Sequence, residues 1–505
     1  MTGIRVALRG QGAAPVLSRL VITRTSDGSG ETRGAIASPS RWLVALLGLY
    51  ALALVALLLL DSPLGPDEAI YASGGRVWLG DGPSAGFTFY RPLGMKLIAA
   101  LGLLLGGADA TMRVVPVLLT LAFLACSWRF ALALSGRVAA HVLAVASLTW
   151  SHLPWRGMQL LSDVPSALGC LGMVWFLLRL LRPDGSGTVR HAVAAAACGG
   201  AAFWFRYGAL AALVCVVVAF AALWPARIWA KRWPMLAFAA LLTAALVPFV
   251  LFSMRTTGRW NGVLELAADT ADRRFVGDGL VTYLRGWFGP TAGPLLGGLA
   301  LVGLVTGARD LLSGRRGSWR AVMALAGAGQ IVWLGLTIHG EPRYVFFPVL
   351  LLSLSGADAV AAWLGRTSAS LRRFAIAGGL TVAGVAVVVV FAMTVRTIQR
   401  MEEADRIIEE RARMIRLDAG DSACLVFSNR APQVSWYSGC RARVITATKA
   451  SADLPASIRL YLLAFDRRGQ PAAAVAQAAL RVASMDAEPI GDQSSRAFLV
   501  RLRPR

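Results

Sequence analysis

The sequence predicts an all-α polytopic membrane protein with about 11 transmembrane helices and a small C-terminal extracytoplasmic α/β domain. Three observations carry that prediction. Of 505 residues, 56% are hydrophobic and only 16% charged, the balance of a chain that buries helices in lipid. Apolar runs of membrane-crossing length recur along the chain, separated by short clusters of Lys and Arg. After Val395 the composition turns polar, and short strand-like runs replace the long apolar ones. The excess of 51 Lys and Arg over 28 Asp and Glu would suit a nucleic-acid partner only as one basic face of a soluble domain. Here the cations sit between apolar runs, where the positive-inside rule accounts for them, and no nucleic-acid partner is expected.

Residues 1–41 read as a cytoplasmic basic tail with Arg5, Arg9, Arg19, Arg24 and Arg33, lacking the apolar core and cleavage site of a signal peptide. The first apolar run, Trp42 to Leu60, spans about 28 Å as a helix, enough to cross as a signal-anchor. Further runs lie near Val114–Leu134, Val138–Trp150, Val164–Leu181, Ala192–Phe205, Ala209–Trp224, Met235–Met254, Phe288–Ala308, Ala321–Ile338, Tyr344–Leu364 and Ala375–Val395. Alternation from a cytoplasmic start brings five basic clusters to one side: those at Arg137, at Arg179 to Arg190, at Arg227 to Arg232, at Arg309 to Arg320 and at Arg366 to Arg373. The segment Pro92 to Gly107 is apolar but would extend only about 24 Å and carries Lys96. Counting it as a crossing would throw every later cluster to the other side, so it reads as an interfacial helix with Lys96 reaching toward headgroups.

The chain thus divides into the tail 1–41, a transmembrane domain 42–395 with a first outer loop 61–113, and an outer α/β domain 396–505. In the last, RTIQRMEEADRIIEERARMIRL, Arg396 to Leu417, reads as an amphipathic helix with Met401, Ile408 and Ile415 at seven-residue spacing. Strand-like runs follow at Cys424–Phe427, Arg443–Ile445, Leu460–Phe465 and Ala497–Leu502, with an Ala-rich helix near Ala472–Met485. Cys424 and Cys440 alone of the six cysteines stand in polar sequence. They either pair in an oxidising compartment or are unrelated strand cysteines, since sequence does not give their distance.

The acidic residues are as uneven as the basic ones. Parity puts Asp61, Asp67, Glu68, Asp81, Asp109, Asp163, Glu265, Asp269, Asp272, Asp278 and Glu341 outside, against Asp184 and Asp310 in the inner loops. The pair Asp67-Glu68 in LGPDEAIYASG also suits the first turn of a helix opened by Pro66, where carboxylates stabilise the positive end by about 0.3–1 kcal/mol. That account leaves unexplained the cations Arg76, Arg91, Lys96, Arg113, Arg156, Arg206, Arg255, Arg259, Arg273, Arg274, Arg285 and Arg343, all at or near outer ends of the runs, where the positive-inside rule disfavours them. A carboxylate to take a proton beside cations to hold a leaving phosphate is what transfer from a phospholipid-linked donor requires.

At these residues the sequence resembles the GT-C membrane glycosyltransferases. It is most similar to their branch of protein O-mannosyltransferases and lipid A aminoarabinose transferases, which use polyprenyl-phosphate-linked sugars. PDEAIYA, FYRPLGMKLIAALGLLLGG and Arg113 resemble the first-loop signature. LLSDVPSALG resembles a second acidic site, FWFRYGAL a turn that carries Lys in the family, and HGEPRYVFFPVLLLS an RY-P segment near the last spans. Order and spacing match from about Trp42 to Leu364, with one proline in RPLG where many members have two and Arg206 in place of the lysine. The resemblance implies catalytic carboxylates Asp67 (base), Glu68 and Asp163, and binding of the lipid phosphate and pocket contacts by Arg91, Lys96, Arg206, Arg343 and Tyr344. It implies transfer of a sugar to a hydroxyl of a cell-envelope glycan, lipid or protein at the outer face of the cell membrane, by inverting single displacement.

Structural readings stand beside these. Asp163 before Val164-Pro165 also suits a helix cap, Arg206 a snorkelling span end, and Arg343 an interface anchor. The outer histidines His152 and His339 show no ligand spacing, so a divalent metal is an open possibility without assigned ligands. The alternative function class is a multi-pass lipid or small-molecule transporter or flippase. It would place ionisable residues near the bilayer midplane, where Asp358 is the main acidic candidate.

Overall fold

The computed structural model describes residues 41–60, 62–80, 82, 90–183, 187–269, 275–315, 317–338, 340–445, 458–466, 470–483, 486–491, 493, 494 and 496–503. The basic tail through residue 40, Asp61, Asp81, Asp184, Asp272, Arg273, Arg274, Arg316 and His339 lie outside the described residues. The helices, in chain order, are α1 (Arg41–Leu58), α2 (Pro66–Leu79), α3 (Leu93–Leu104), α4 (Asp109–Leu148), α5 (Leu153–Met158), α6 (Asp163–Leu180), α7 (Val189–Phe205), α8 (Ala209–Leu223), α9 (Pro225–Ala230), α10 (Arg232–Thr257), α11 (Gly262–Asp269), α12 (Asp278–Arg285), α13 (Pro294–Leu312), α14 (Trp319–Thr337), α15 (Phe346–Arg366) and α16 (Ala369–Ala419). Seven of the described helices are long and apolar enough to cross a membrane, and α1, α3 and α8 include shorter apolar stretches.

Every apolar run of the sequence falls on a helix. Val114–Leu134 and Val138–Trp150 fall on the two parts of α4, which Gly136 interrupts with φ 83°, ψ −175°. That left-handed backbone is open to glycine and costly for a residue with a Cβ, so the break sits where the sequence has Ser135-Gly136-Arg137. The run from Phe288 starts later than expected. Trp287–Thr291 forms a π turn around Pro290, and α13 begins only at Pro294, where a proline with no N–H to donate suits the first helical position. Helices α13 and α15 approach so closely that a Cβ on Gly303 would lie 1.8 Å from the Leu352 carbonyl oxygen and one on Gly356 1.9 Å from that of Leu299. Small residues are what permit such helix contact in lipid.

The C-terminal part contains β1 (Cys424–Ser428), α17 (Ala431–Ser438), β2 (Arg441–Val444), β3 (Arg459–Phe465), α18 (Ala472–Ala483), β4 (Asp486–Pro489) and β5 (Ala497–Arg503). The sheet order is β2-β1-β3-β5-β4, with β1 parallel to β2 and β3, and β5 antiparallel to β3 and β4. Strand β4, DAEP, is fully exposed and lacks the apolar alternation that marks the other strands, which is why the sequence reading passed over it. Cys424 and Cys440 form a disulfide that brackets α17.

Strand alternation assigns the two faces of the sheet. Leu425, Phe427, Leu462 and Val500 pack on one side with Ala476 and Ala479 of α18. On the other, Val426, Tyr461, Leu463 and Leu499 share a core with Ile408, Ala412 and Ile415 of α16, Val434 and Trp436 of α17, and Tyr71, Ala72, Met95 and Ala99 of α2 and α3. Ile408 and Ile415 meet the expected spacing, while Met401 is 37% exposed. The amphipathic helix expected from Arg396 is the continuation of the last apolar run, since α16 is a single helix of 51 residues.

Candidate active site

Helix α2 starts at Pro66, whose fixed φ suits the first helical position, so Asp67 and Glu68 stand on consecutive residues of its first turn, about 100° apart around the axis. That angle separates their fates. Glu68 turns inward, is 1% exposed, and receives Arg113 in a two-point contact, Nε to Oε1 at 2.9 Å and Nη2 to Oε2 at 2.8 Å. The backbone N–H groups of Gly65 and Leu160 donate to the same carboxylate at 3.0 and 2.9 Å. Arg113, itself 1% exposed, also donates to Ser62 and to the Pro63 carbonyl. Burial would push the Glu68 carboxyl up, but the Arg113 pair and the two backbone donors outweigh it and keep it ionised. With four hydrogen bonds made, Glu68 offers no oxygen to a substrate, in contrast to its place among the expected catalytic carboxylates. Arg113, expected among the outer cations, is its buried counter-ion.

Asp67 turns the other way and its side chain is 34% exposed. Arg343 Nη2 donates to its Oδ2 at 2.8 Å, and Arg91 Nη2 lies 3.6 Å from Oδ1. Burial alone would raise its pKa, but the two guanidinium groups prevail and hold the carboxyl below the usual range. Arg343 is presented by a 3₁₀ turn, Pro342–Val345, and is buried. Besides Asp67 it meets Glu341 at 2.5 Å and Asp163 at 3.8 Å. Asp163, at the first position of α6 and almost wholly buried, pairs with Arg206 at 2.5 Å, and Arg206 also reaches Ser162 at 3.3 Å. Arg206 can point here because α7 ends at it and its own backbone is extended. The Tyr344 ring lies between the cations, 4.2 Å from the Arg206 guanidinium carbon and 5.6 Å from that of Arg343.

Asp67, Asp163, Arg91, Arg206, Arg343 and Tyr344 therefore form one cluster, in which the contact of Asp67 with Arg343 joins residues 276 apart in the chain. Lys96 stands apart from these ion pairs, its aliphatic stem against α2 at Gly74, where an added Cβ would lie 3.0 Å away. Sequence reading named Arg156, Glu341 and His152 without a role. Arg156 is held toward Gln159 at 2.9 Å and its charge reaches Asp67. Burial, with the nearby charges of Arg156 and Arg343, pushes His152 down to about 4, so it adds no charge at neutral pH. Tyr71, one turn after Asp67, was missed: it is buried beside Ser162 and carried no signal beyond its apolar helix face.

Arg343 faces a second space as well. A small, partly open cleft lies among α6, α8, α14 and α15, with Asp163, Arg206, Arg343 and Tyr344 as its polar part and Ala167, Leu334 and Phe347 in its apolar wall. Cations beside an apolar cleft suit an anion attached to a hydrocarbon chain. A bound metal is a poorer fit, since among the described residues no three His, Cys, Asp or Glu side chains stand close enough to share an ion, and Asp67, Asp163 and Glu341 are all directed at Arg343. Asp358, the acidic residue deep in a span, is paired with Arg320 at 3.2 Å and takes no part in the cluster.

The sequence matches no family model, and no curated protein matches it. Solved structures do resemble it. ArnT from Cupriavidus metallidurans bound to undecaprenyl phosphate superposes with a TM-score of 0.66 at 15% identity, covering 92% of this chain and 98% of that one. Its apo form gives a TM-score of 0.66 at 15% identity, with 91% and 97% covered. The archaeal oligosaccharyltransferase AglB from Archaeoglobus fulgidus, in complex with an inhibitory peptide and a dolichol-phosphate, gives a TM-score of 0.51 at 10% identity over 84% of this chain and 69% of that one. The match to ArnT over 92% of this chain, together with the terminal sheet and seven described helices long and apolar enough to cross a membrane, gives this chain an ArnT-like fold.

Proposed function

We propose that this protein is a membrane glycosyltransferase that moves a sugar from a polyprenyl-phosphate donor to a hydroxyl acceptor of a cell-envelope glycan, lipid or protein. The observation that carries the reading is Asp67, a partly exposed carboxylate held between Arg343 and Arg91, with Arg343 also lining a cleft that has an apolar wall. The likeness to a structure bound to undecaprenyl phosphate supports the donor class. Glu68 holds the helix that carries Asp67 rather than touching substrate.

The resting ion pairs suggest how binding prepares the base. A donor phosphate entering the cluster competes with Asp67 for Arg343 and Arg91, the two groups that depress its pKa. As they turn to the phosphate, Asp67 becomes a stronger base at the moment a substrate is present. The acceptor oxygen then attacks the anomeric carbon from the face opposite the phosphate, its proton passes to an Asp67 oxygen, and the carbon–oxygen bond to phosphate breaks. Polyprenyl phosphate leaves with the bonding pair, its charge met by Arg91, Arg206 and Arg343. One displacement inverts the anomeric centre. No step requires a metal.

Incubating the purified protein with a polyprenyl-phosphate sugar, and comparing envelope glycans and glycoproteins by mass spectrometry with and without the gene, tests the reading; absence of transfer and of any glycan change would refute it. Arg343→Ala is expected to weaken binding of the sugar-free polyprenyl phosphate about tenfold to a hundredfold, the worth of a charged hydrogen-bonded contact of roughly 1.5–3 kcal/mol. Unchanged binding in a titration would remove the phosphate role from Arg343.

We place the site on the extracytoplasmic side of the cell membrane, with the N-terminus cytoplasmic and the C-terminus outside. The five basic clusters and the Cys424–Cys440 disulfide support this, as disulfides persist in oxidising compartments. Reporter fusions after Arg232 and after Arg505 are expected to report opposite compartments; agreement between them would overturn the orientation.

A further inference from the structure

We propose that Tyr437 and Gln433 of α17 are positioning residues that set the place of Asp67 by gripping the backbone of Leu64, so that the C-terminal sheet unit is part of the catalytic apparatus. The proposal rests on the reading of Asp67 as the base.

Leu64 is three residues before Asp67 and fully buried, so both of its backbone polar groups need partners. Neither finds one in the membrane bundle. Its N–H donates to the Tyr437 hydroxyl at 2.7 Å, and its carbonyl accepts from Gln433 Nε2 at 3.0 Å. Both side chains come from one short helix nearly 370 residues further along the chain. Each is fixed in turn. The Tyr437 hydroxyl donates to Asp109 Oδ2 at 2.6 Å, at the start of α4, and Gln433 Nε2 also reaches Asp405 of α16 at 2.8 Å. Beside them the Trp436 indole donates to the other Asp109 oxygen at 3.2 Å, while its carbonyl accepts from Arg76 of α2 at 2.6 Å and its ring lies 3.5 Å from the Arg76 guanidinium carbon.

Between the grip and the base there is little slack. Gly65 is tied by its N–H to Glu68 and by its carbonyl to the Ala69 N–H at 2.9 Å, and Pro66 has a fixed φ. A displacement of Leu64 therefore travels directly to Asp67. Displacements near 1 Å at a reacting group cost roughly a hundredfold in rate. Arg91, Arg206 and Arg343 are carried by other segments of the chain.

Tyr437→Phe and Gln433→Met in the full chain test the proposal, since each keeps the packing volume and removes the hydrogen bond. Turnover is expected to fall about tenfold to a hundredfold, while KM for the polyprenyl-phosphate sugar stays within about twofold, as the cations are untouched. Hydrogen exchange at the Leu64 and Gly65 amides should quicken by at least about tenfold, as these bonds open without global unfolding. Tyr461→Phe, which removes a bond to Asp418 elsewhere in the same sheet unit, serves as the control and should change neither readout. Wild-type turnover and exchange in Tyr437→Phe would overturn the proposal, as would an equal loss in Tyr461→Phe, which would mark a general stability effect. Should the wild-type protein transfer no sugar, the functional reading falls, and the exchange at Leu64 and Gly65 alone decides whether the grip exists.

Discussion

Asp67→Asn is expected to lower turnover by about 10²–10⁴ while the protein remains folded and inserted. An amide cannot accept the acceptor proton, and it also cannot recover charge when a phosphate draws Arg343 and Arg91 away. The stability cost should stay under about 1 kcal/mol, because the side chain is one-third exposed and Arg343 keeps Glu341 and Asp163 as partners. Purified variants compared by transfer assay and thermal melting would show the separation. A normally active Asp67→Asn enzyme would leave the carboxylate with only its helix-end role.

The adjacent residue should fail in the opposite way. Glu68→Gln leaves Arg113 as a buried cation whose counter-ion is gone, and breaking such a pair from one side costs about 3–5 kcal/mol. The expected result is a sharp fall in folded, detergent-stable protein, with whatever fraction survives retaining much of its turnover. Size-exclusion yield and melting temperature report the first part and the assay of the surviving fraction the second. A stable Glu68→Gln protein with little turnover would return Glu68 to the catalytic group.

Much of this was legible in the sequence because lipid imposes simple constraints. Apolar length locates the helices, while the sidedness read from the placing of Arg and Lys is the expectation that the reporter fusions test. The cluster of Asp67, Asp163, Arg91, Arg206 and Arg343 was legible as a set of cations and carboxylates at helix ends. What the sequence withheld was pairing. Nothing in PDEA distinguishes a carboxylate aimed at solvent from one aimed at Arg113, since the difference is a rotation of about 100° between neighbours. Lys96 was grouped with the phosphate contacts from its charge and position, yet its stem follows the surface of α2. The role of α17 was out of reach, because Gln433, Trp436 and Tyr437 look like ordinary residues of a short helix until the fold brings them to Leu64.

The unbroken course of α16 from the bundle into the sheet unit gives chain length a meaning that sequence identity does not have. Each residue of a helix adds about 1.5 Å of height and 100° of azimuth. A residue gained or lost between Val395 and Ile408 would swing the sheet through that angle and carry α17 off the loop before Asp67. Seven residues would nearly restore the azimuth yet raise the sheet by about 10 Å. No small change satisfies both. Apart from Asp405 and the buried Ile398 and Ile408, the stretch is thus free to vary in composition while its residue count is held, as the teeth of a gear may wear without their number changing.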